Sequence, residues 1–494
     1  MADLVASRTP FVDGAFVPGR GEALTVIDPC TEEPVATVEG ASVEQVEEAI
    51  VAARRAFDEG PWPRMSVDER CAVMDRYAEA LAAREETILA TVVAEAGSTQ
   101  LFGRAAQVGM GLAGAREHVA IARRLPEWEH NELPLPEYVA GGKVKVSVRV
   151  HDPLGVVAAI SPANFPFTTN AWKVVPALLT GCTVVLRPSP TTPLSATVMA
   201  EAALEAGLPP GVLNVVPETT PAGAELLTTH DGVDCVSFTG STGVGRRIAA
   251  AAAPGMKRLI LELGGKSVQW YLDDALANGP GAAVAGAAAV FAAHAGQGCS
   301  LQTRMLVPHA HKDAVLEAVA AMAGALTVGD TRDPATVVGP VVSAASRDRI
   351  ERLVAEGVAA GGRVVVGGAR PDHLARGYFY LPTVVDVDDN ANPLAQEEIF
   401  GPVITVQGYG SIDEAVAITN DSRYDLSAGV YSADPAAGLA LAPRIRTGTV
   451  QVNVGAAGSY TPMGGAKTSG IGRERGVEGI RAFQQAKHVV VGSL

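Results

Sequence analysis

A single cysteine, Cys299, stands in the segment HAGQGCSLQT between small residues that give a thiol little to pack against. Gly296 and Gly298 precede it, and glycine lets a ligand approach the backbone closely. The thiolate of a cysteine in such an accessible place can attack a carbonyl carbon. A lone cysteine is more often an inert, small apolar residue, so this segment alone permits both interpretations.

Two more polar residues stand where they could assist a nucleophile. Glu262 follows an apolar run in LILELGGKS, where a carboxylate is either a buried ion-pair partner or a base with a raised pKa. Asn164 lies between two prolines in SPANFPF, and proline fixes the backbone that carries the amide. Taken singly, a glutamate is usually solvated or ion-paired, and an asparagine near prolines usually caps a turn. Because these residues are far from Cys299 in sequence, only the fold could bring them together.

Two segments have the composition of a phosphate-binding site. VSFTGSTGVGRRI carries Gly240 and Ser241 before an expected helix, where free backbone N–H groups and the helix dipole attract a phosphate. VVLRPSP places Arg187, Ser189 and Pro190 after another strand, and ligands of open α/β sheets bind beyond such strand ends. The glycine spacing, G-x-x-G-x-G, differs from the dinucleotide fingerprint G-x-G-x-x-G. An ordinary glycine-rich turn therefore stays open as an alternative.

The elements that would position these residues alternate between strand and helix. The short β-branched runs GVVAAISP, CTVVLRPSP, GVLNVVP and DCVSFTGS each end in Pro, Ser or Gly, with helical segments between them. This alternation predicts a parallel sheet with crossover helices. The runs QTRMLVP, GGRVVVGG and PVITVQGY predict a second α/β unit within 302–451.

Two helical regions and one isolated strand complete the pattern. Helices are expected over 41–59 and 66–97, with Ser66 as the N-cap of the second and Glu69 three residues later. KVKVSVRV stands apart from both α/β units because it alternates cleanly, and it is expected to pair with the last strand, HVVVGSL.

Length and composition limit the classes of protein that remain. The chain has 494 residues, more than one hydrophobic core usually takes, so two or three domains are expected. A formal net charge of −15 argues against a nucleic acid or an anionic membrane as partner, because both need a basic face. Five scattered cysteines fit a reducing, cytoplasmic compartment, and without a CxxC pair or a Cys/His cluster no metal site is expected. No signal peptide is expected, and the apolar run 282–293 is too short to cross a bilayer.

The motifs occur in the order of a known family. From FVDGAFV through SPANFPF, WKVVPALLTGCTVVLRPSP, VSFTGSTGVGRRI, LELGGKS, AGQGC and QEEIFGPV to PMGGAKTSGIGRERG, the chain resembles the NAD(P)-dependent aldehyde dehydrogenase superfamily over nearly its whole length. The resemblance implies an α/β fold with a Rossmann-like cofactor domain, an α/β catalytic domain and a small β oligomerisation ribbon. The implied boundaries are 1–138 with 155–262, then 263–451, and 139–154 with 475–494. An exposed strand edge invites pairing with another chain, so a homodimer or homotetramer is expected.

The resemblance implies a role for each candidate. Cys299 is the nucleophile that attacks the aldehyde, and the Asn164 amide with the Cys299 N–H would hold the oxyanion. After hydride transfer, Glu262 would act as general base for the water that hydrolyses the thioester. Because family members that acylate coenzyme A commonly lack this glutamate, a free carboxylic acid is the expected product. Lys173 in WKVVP matches a lysine near the catalytic centre with a role in proton transfer, and Gln297 matches a site-lining position.

The resemblance also implies a dinucleotide site, with NAD as the expected cofactor and NADP as the alternative. Glu398 and Phe400 match positions that hold the nicotinamide ribose and ring. The other expected contacts are Ile160, Ser161, Pro162, Arg187, Ser189, Pro190, Gly240, Ser241 and Leu263. Pro190 stands where the family commonly has a glutamate for the adenosine ribose, which removes a charge that would repel a 2′-phosphate. Arg187 could pair with such a phosphate.

The implied substrate pocket is mostly apolar. It comprises Phe165, Trp172, Tyr460 and Met463, with no arginine to bind a second carboxylate, so an apolar or aromatic aldehyde is expected. Ala163 replaces a tryptophan that is usual in the family, which would loosen the pocket mouth. Two other classes stay open: a cysteine esterase or thioesterase without redox chemistry, and a catalytically inactive structural or binding protein. Cofactor dependence separates the first from the expected enzyme, and any turnover separates the second.

Overall fold

The structure is a computed structural model that describes residues 4–140, 143–455 and 458–492. Two large β-sheets, each covered by helices, carry most of the chain, and a small ribbon forms a separate sheet. The prediction of two α/β units is thereby confirmed. None of the helices within those three ranges has the length and apolar character needed to traverse a bilayer.

The first sheet has eight strands, and its five central strands are parallel. In spatial order the strands are Ala15–Phe16, Phe11–Val12, Leu213–Val215, Thr183–Arg187, Val156–Ile160, Cys235–Thr239, Arg258–Glu262 and Gly470–Ile471. All four β-branched runs predicted for this unit are confirmed as strands. The chain order reverses at Val156–Ile160, and such a reversal opens a crevice at the carboxyl ends of the strands.

The central strands are buried on both faces. In Val156–Ile160, Val157 and Ala159 pack into one apolar cluster, whereas Val156 and Ala158 pack into another. The two clusters lie on opposite faces because successive side chains of a strand alternate. Helices cover both faces, which explains why these runs are continuously apolar.

Helices surround this sheet, and three of them begin at a serine N-cap. The helices are Val43–Asp58, Val67–Ala82, Glu85–Ala96, Gly109–Ala122, Pro166–Leu179, Leu194–Ala206, Ala222–Thr229 and Thr242–Ala252. The helices predicted over 41–59 and 66–97 are confirmed, the second as two helices separated at Ala83 and Arg84. Ser66 caps the first of these as predicted, since its Oγ accepts the Glu69 N–H at 3.3 Å.

The second sheet has seven strands, of which six are parallel. Their spatial order is Arg363–Val366, Thr383–Asp386, Val403–Tyr409, Arg304–Pro308, Val268–Tyr271, Ser427–Tyr431 and Thr449–Val452. The helices around it are Gly281–Ala292, Lys312–Ala325, Ala344–Ala359, Ile412–Asn420 and Pro435–Leu441. A short link, 263–267, joins Glu262 at the end of the first sheet to the first strand of the second.

The ribbon is built from distant parts of the chain. Lys143–Pro153 pairs antiparallel with Gln484–Gly492 and with Trp128–His130, so the predicted pairing of KVKVSVRV with the last strand is confirmed. Residues 493–494 of that predicted strand and 141–142 of the predicted ribbon lie outside the described residues. Val144, Val490 and Val491 of the ribbon are exposed to solvent.

Short elements complete the chain. The remaining strands are Leu24–Ile27, Pro34–Val38, Val139–Ala140, Tyr424–Asp425 and Ala466–Lys467. The remaining helical turns are Trp62–Arg64, Gln100–Phe102, Gly103–Val108, Leu135–Tyr138, Ala253–Gly255, Asp273–Leu276, His294–Gly296, His309–His311, Pro393–Gln396, Ala442–Arg444 and Gly476–Arg481.

Candidate active site

A cavity of about 840 Å³ opens at the carboxyl ends of the first sheet's central strands, where the chain order reverses. Its wall contains Asn164, Cys299 and every residue predicted for the cofactor except Pro190, namely Ile160, Ser161, Pro162, Arg187, Ser189, Gly240, Ser241, Leu263, Glu398 and Phe400. The fold therefore gathers these residues from six separate segments onto one surface. A cavity of this size has room for a large organic ligand.

The polar groups of the cavity suit a dinucleotide. The hydroxyls of Ser161 and Thr239 are buried in its wall, and neither has a hydrogen-bond partner among the residues that the structure describes. Ser241 caps the helix Thr242–Ala252, whose first N–H groups face the same space and suit a phosphate. A Cβ on Gly243 would meet nothing within 4 Å, so the helix start is open to a ligand.

Arg187 is held by a carboxylate that the sequence analysis did not identify. Its Nε donates to Glu218 Oε1 at 2.9 Å, and its guanidinium also donates to the Thr220 carbonyl at 3.2 Å. Glu218 is buried and also accepts the N–H groups of Gly223 and Ala224, at 2.8 and 2.9 Å. A 2′-phosphate would therefore meet a guanidinium whose charge Glu218 already balances.

Cys299 lies on a loop with an unusual backbone. His294, Ala295 and Gly296 have φ angles of 51°, 51° and 76°, and such left-handed conformations are costly for residues with a Cβ. The loop packs against the 263–267 link, since a Cβ on Gly265 would lie 2.1 Å from the Cys299 carbonyl oxygen. Glycine at 265 thus permits the close approach of the two segments.

Cys299 differs from the other four cysteines in its exposure. Cys30, Cys71, Cys182 and Cys235 are buried, whereas Cys299 is partly exposed in the cavity wall. Desolvation of its thiol, together with the negative charges of Glu398, Glu262 and Glu474, raises the pKa of Cys299. The thiol is therefore protonated at rest and needs a base to become a nucleophile.

Asn164 faces the cysteine loop. The side-chain Nδ2 of Asn164 donates to the Gln297 backbone carbonyl at 2.8 Å. The backbone carbonyl of Asn164 accepts a hydrogen bond from Gln107 Nε2 at 2.7 Å. The Gln297 side chain is fully buried and does not line the cavity, because it bonds the His294 carbonyl at 3.0 Å and the Val342 N–H at 2.8 Å. Gln297 therefore braces the loop, and Asn164 is oriented by it.

Glu262 lies at the end of the strand Arg258–Glu262 and is 1% exposed. Neither carboxylate oxygen has a hydrogen-bond partner within the described parts of the chain. Burial first, and then the charge of Glu474, raise the pKa of Glu262 well above its ordinary value. A carboxylate in this condition is ready to accept a proton.

Lys173 forms a buried ion pair beside Glu262. Its Nζ donates to Glu474 Oε1 at 2.6 Å and to Ser237 Oγ at 3.1 Å, and the lysine is fully buried. The Met463 and Glu474 backbones hydrogen-bond each other in both directions, at 2.7 and 2.8 Å, which fixes the glutamate. Glu474 was not predicted, although its block GRERG sets three charged residues between glycines.

The four residues predicted for the substrate pocket differ in their surroundings. Phe165 packs edge-on against Phe102 and His294, with ring centroids 5.8 and 5.9 Å away. Trp172 is buried, whereas Tyr460 is half exposed. None of the four lies in the wall of the large cavity.

One arginine that the sequence did not predict here lies beside two of these residues. The Arg475 guanidinium carbon lies 5.0 Å from the centre of the Trp172 ring, and its Nη1 lies 3.9 Å from Met463 Sδ. Arg475 also donates to the Gly458 carbonyl and to Thr461 Oγ1. It was missed because it lies far from Trp172 in sequence, although the motif PMGGAKTSGIGRERG contains it.

Comparison with known proteins agrees with this geometry. The sequence profile of the Aldehyde dehydrogenase family matches residues 16–489. Geranial dehydrogenase of Castellaniella defragrans is 39% identical over 97% of this chain and 98% of its own length.

Solved structures give the same result. An aldehyde dehydrogenase of Mycobacterium tuberculosis complexed with NAD+ is 38% identical, with a TM-score of 0.93 over 99% of this chain and 98% of that chain. A cysteine-to-alanine mutant of aldehyde dehydrogenase C from Pseudomonas syringae, complexed with NAD+ and octanal, is 34% identical, with a TM-score of 0.92 over the same shares. The profile match, the near-complete coverage and the shared fold place this chain in the aldehyde dehydrogenase family.

Proposed function

We propose that this chain oxidises apolar aldehydes to carboxylic acids with NAD+, through a thioester on Cys299 that water hydrolyses. The observation that carries the proposal is the position of Cys299: it is the partly exposed cysteine, and it lies in the wall of the cofactor cavity. Asn164 lies in the same wall, and Glu262 ends a strand that leads to it.

The first step is attack of the Cys299 sulfur on the aldehyde carbon, with loss of the thiol proton to a base. The carbonyl oxygen becomes an oxyanion, which needs donors already in position. Asn164 Nδ2 carries two N–H groups, and one of them bonds the Gln297 carbonyl. The second N–H and the backbone N–H of Cys299 are the proposed oxyanion donors.

The cofactor site is proposed from the fit of the cavity to a dinucleotide. A bound nicotinamide dinucleotide would supply the hydride acceptor that converts the adduct on Cys299 to a thioester. Glu398 is the proposed ribose contact, since the Gly265 N–H donates to its Oε1 at 2.9 Å and leaves the carboxylate at the cavity wall. NAD is preferred over NADP because Glu218 already pairs with Arg187.

The last step is hydrolysis. Glu262 is the proposed base for the attacking water, because its carboxylate oxygens are buried and bond no neighbour in the described ranges. The Lys173–Glu474 pair is the proposed route by which the proton leaves Glu262, since the charge of Glu474 acts directly on the pKa of Glu262. The product is a free carboxylic acid.

An apolar aldehyde is proposed as substrate. Trp172, Phe165 and Met463 supply an apolar surface near the nucleophile's loop and the buried glutamates. One relative is named geranial dehydrogenase, and another was solved with octanal bound, and both aldehydes are apolar. Arg475 does not argue for a second carboxylate, because Gly458, Thr461 and Trp172 already surround its guanidinium.

The three-part organisation and self-association are also proposed. The ribbon strands Lys143–Pro153 and Gln484–Gly492 leave Val144, Val490 and Val491 exposed, each more than half accessible. Exposed apolar strands of this kind favour contact with a second copy of the chain. Light scattering of the purified protein should give a mass of two or four chains, and the double variant V490K/V491K should lower it.

The proposal is tested by following reduced nicotinamide absorbance with aliphatic, aromatic and acidic aldehydes, with NAD and NADP in parallel. Cys299→Ala should abolish oxidation, whereas Cys30→Ala, which removes a thiol outside the cavity, should retain it. Unchanged oxidation by Cys299→Ala would refute the mechanism. Ester hydrolysis without any cofactor-dependent oxidation would instead identify a hydrolase.

A further inference from the structure

A second, much smaller cavity lies against the 263–267 link, and its lining residues differ from those of the cofactor cavity. Its volume is about 10 Å³, which is room for a single small guest. Its wall comes from the link, the second sheet and the 445–447 segment, and comprises Lys266, Ser267, Val268, Arg304, Thr419, Tyr424, Leu426, Ser427, Ala428, Ile445, Arg446 and Thr447.

Unpaired polar atoms concentrate in this wall. Five side-chain atoms there are buried and bond no partner among residues 4–140, 143–455 and 458–492: Lys266 Nζ, Ser267 Oγ, Thr419 Oγ1, Ser427 Oγ and Thr447 Oγ1. Buried polar groups in proteins are nearly always hydrogen-bonded, so five unpaired groups around one cavity indicate a bound species. All five atoms can donate, and the ammonium of Lys266 can only donate.

The charge in the wall is one-sided. Lys266 and Arg304 are each 2% exposed, and neither forms an ion pair within the described parts of the chain. The Arg304 guanidinium is satisfied by neutral acceptors: the carbonyls of Lys266 and Thr419 and the Asn390 side chain, at 3.1 to 3.2 Å. No acidic residue lines the described wall.

The consequence for Lys266 is an uncompensated buried charge. Burial, with the positive charge of Arg304 as the next cause, lowers the pKa of Lys266 to about 7. Glu398 and Glu397 oppose this shift from a distance, but neither reaches the ammonium as a salt bridge. A water molecule would satisfy hydrogen bonds here, whereas an anion would also balance the charge of the protonated ammonium.

We infer that this cavity binds a single small anion, of the size and charge of chloride, between the Lys266 ammonium and the hydroxyls of Ser267, Thr419, Ser427 and Thr447. The anion would stabilise the 263–267 link. Within that link, the Gly265 N–H donates to Glu398, and Gly265 lies against the Cys299 carbonyl. The site is distinct from the cofactor cavity, and it does not depend on the proposed function.

Two measurements on the full chain test the inference. Crystals grown in sodium bromide should show an anomalous peak between Lys266 and Thr447. In solution, the thermal midpoint should be about 2 °C higher in sodium chloride than in sodium gluconate at equal ionic strength, because gluconate is too large to enter and an ion that binds only the folded state stabilises it.

Matched variants locate the effect. Thr447→Val removes one wall hydroxyl at nearly constant volume and should lose at least half of the chloride-dependent shift. Thr449→Val lies outside the wall and should retain all of it. Equal midpoints in chloride and gluconate would overturn the inference, as would an unchanged shift in Thr447→Val. A bromide peak without any chloride-dependent shift in the thermal midpoint would mean an adventitious ion only, and would also overturn the inference.

Discussion

Glu262 and Glu398 both act on the charge state of Cys299, yet they are held in different ways. The negative charge of each raises the pKa of the Cys299 thiol, and burial raises the pKa of each glutamate. Glu398 accepts the Gly265 N–H at 2.9 Å, which offsets part of the rise in its pKa. Glu262 has no hydrogen-bond partner in the described ranges, and the charge of Glu474 raises its pKa further.

This difference separates a binding role from a proton-transfer role. A carboxylate anchored by a backbone N–H keeps its position and its charge, which suits contact with a ribose hydroxyl. A buried carboxylate without a donor gains from accepting a proton, which suits a general base. Two glutamates are therefore suited to different functions because their surrounding hydrogen-bond donors differ.

The largest expected effect is that of Glu262→Gln on turnover. Without a base for water, the thioester persists, and steady-state kcat should fall by about 10²- to 10⁴-fold. Cofactor binding should be unchanged, because Glu262 does not line the cofactor cavity. Stopped-flow absorbance should show one rapid burst of reduced nicotinamide per active site, followed by a slow phase. A wild-type steady-state rate would contradict the assigned role.

The next effect is on stability, and it concerns the ion pair beside Glu262. Lys173→Met leaves Glu474 buried without its partner, which should destabilise the fold by about 3–5 kcal/mol. The double variant K173M/E474Q removes both charges and should recover most of that loss. Scanning calorimetry of both variants measures the difference. Equal stability of the single and double variants would show that Glu474 does not need Lys173.

Much of the scaffold could be predicted from local sequence. The strand at 156–160 was predicted because its residues are continuously apolar and β-branched, and the helix after Ser66 because its capping residues are close neighbours. The strands Val268–Tyr271 and Ser427–Tyr431 were not predicted individually, because flanking polar residues weaken their pattern. Local signals identify elements, and the spatial order of the strands depends on pairings between distant segments.

The candidate site was only partly predictable for the same reason. Cys299, Asn164 and the cofactor wall were found through motifs that are contiguous in sequence. Glu474 and Arg475 were missed because their partners, Lys173 and Trp172, lie about three hundred residues away. No local pattern marks a buried ion pair between such distant residues, so only the folded chain reveals it.

A smaller effect is expected when the anchored glutamate is changed. Glu398→Gln keeps the shape but removes the charge that a ribose hydroxyl would meet, and a hydrogen bond to a charged group contributes about 1.5–3 kcal/mol. The KM for the cofactor should rise about tenfold or more, since about 1.4 kcal/mol corresponds to tenfold. The burst seen with Glu262→Gln should be absent, because hydrolysis remains intact. A burst in Glu398→Gln would erase the distinction between the two glutamates.

The smallest expected effect is a shift in the pH dependence of kcat. The base must be deprotonated, so the rate of hydrolysis falls as pH drops through the raised pKa of Glu262. The Glu474 charge is the second cause of that raised pKa, after burial. Glu474→Gln removes this charge and leaves the Lys173 cation, so the pKa of Glu262 should fall and the acidic limb of kcat should move to lower pH. Glu478→Gln, an exposed change on the neighbouring helix Gly476–Arg481, should leave the limb in place. An acidic limb that moves to higher pH in Glu474→Gln, or that moves equally in Glu474→Gln and Glu478→Gln, would mean that Glu474 does not act on Glu262. The difference between Glu262 and Glu398 would then rest on the Gly265 hydrogen bond alone.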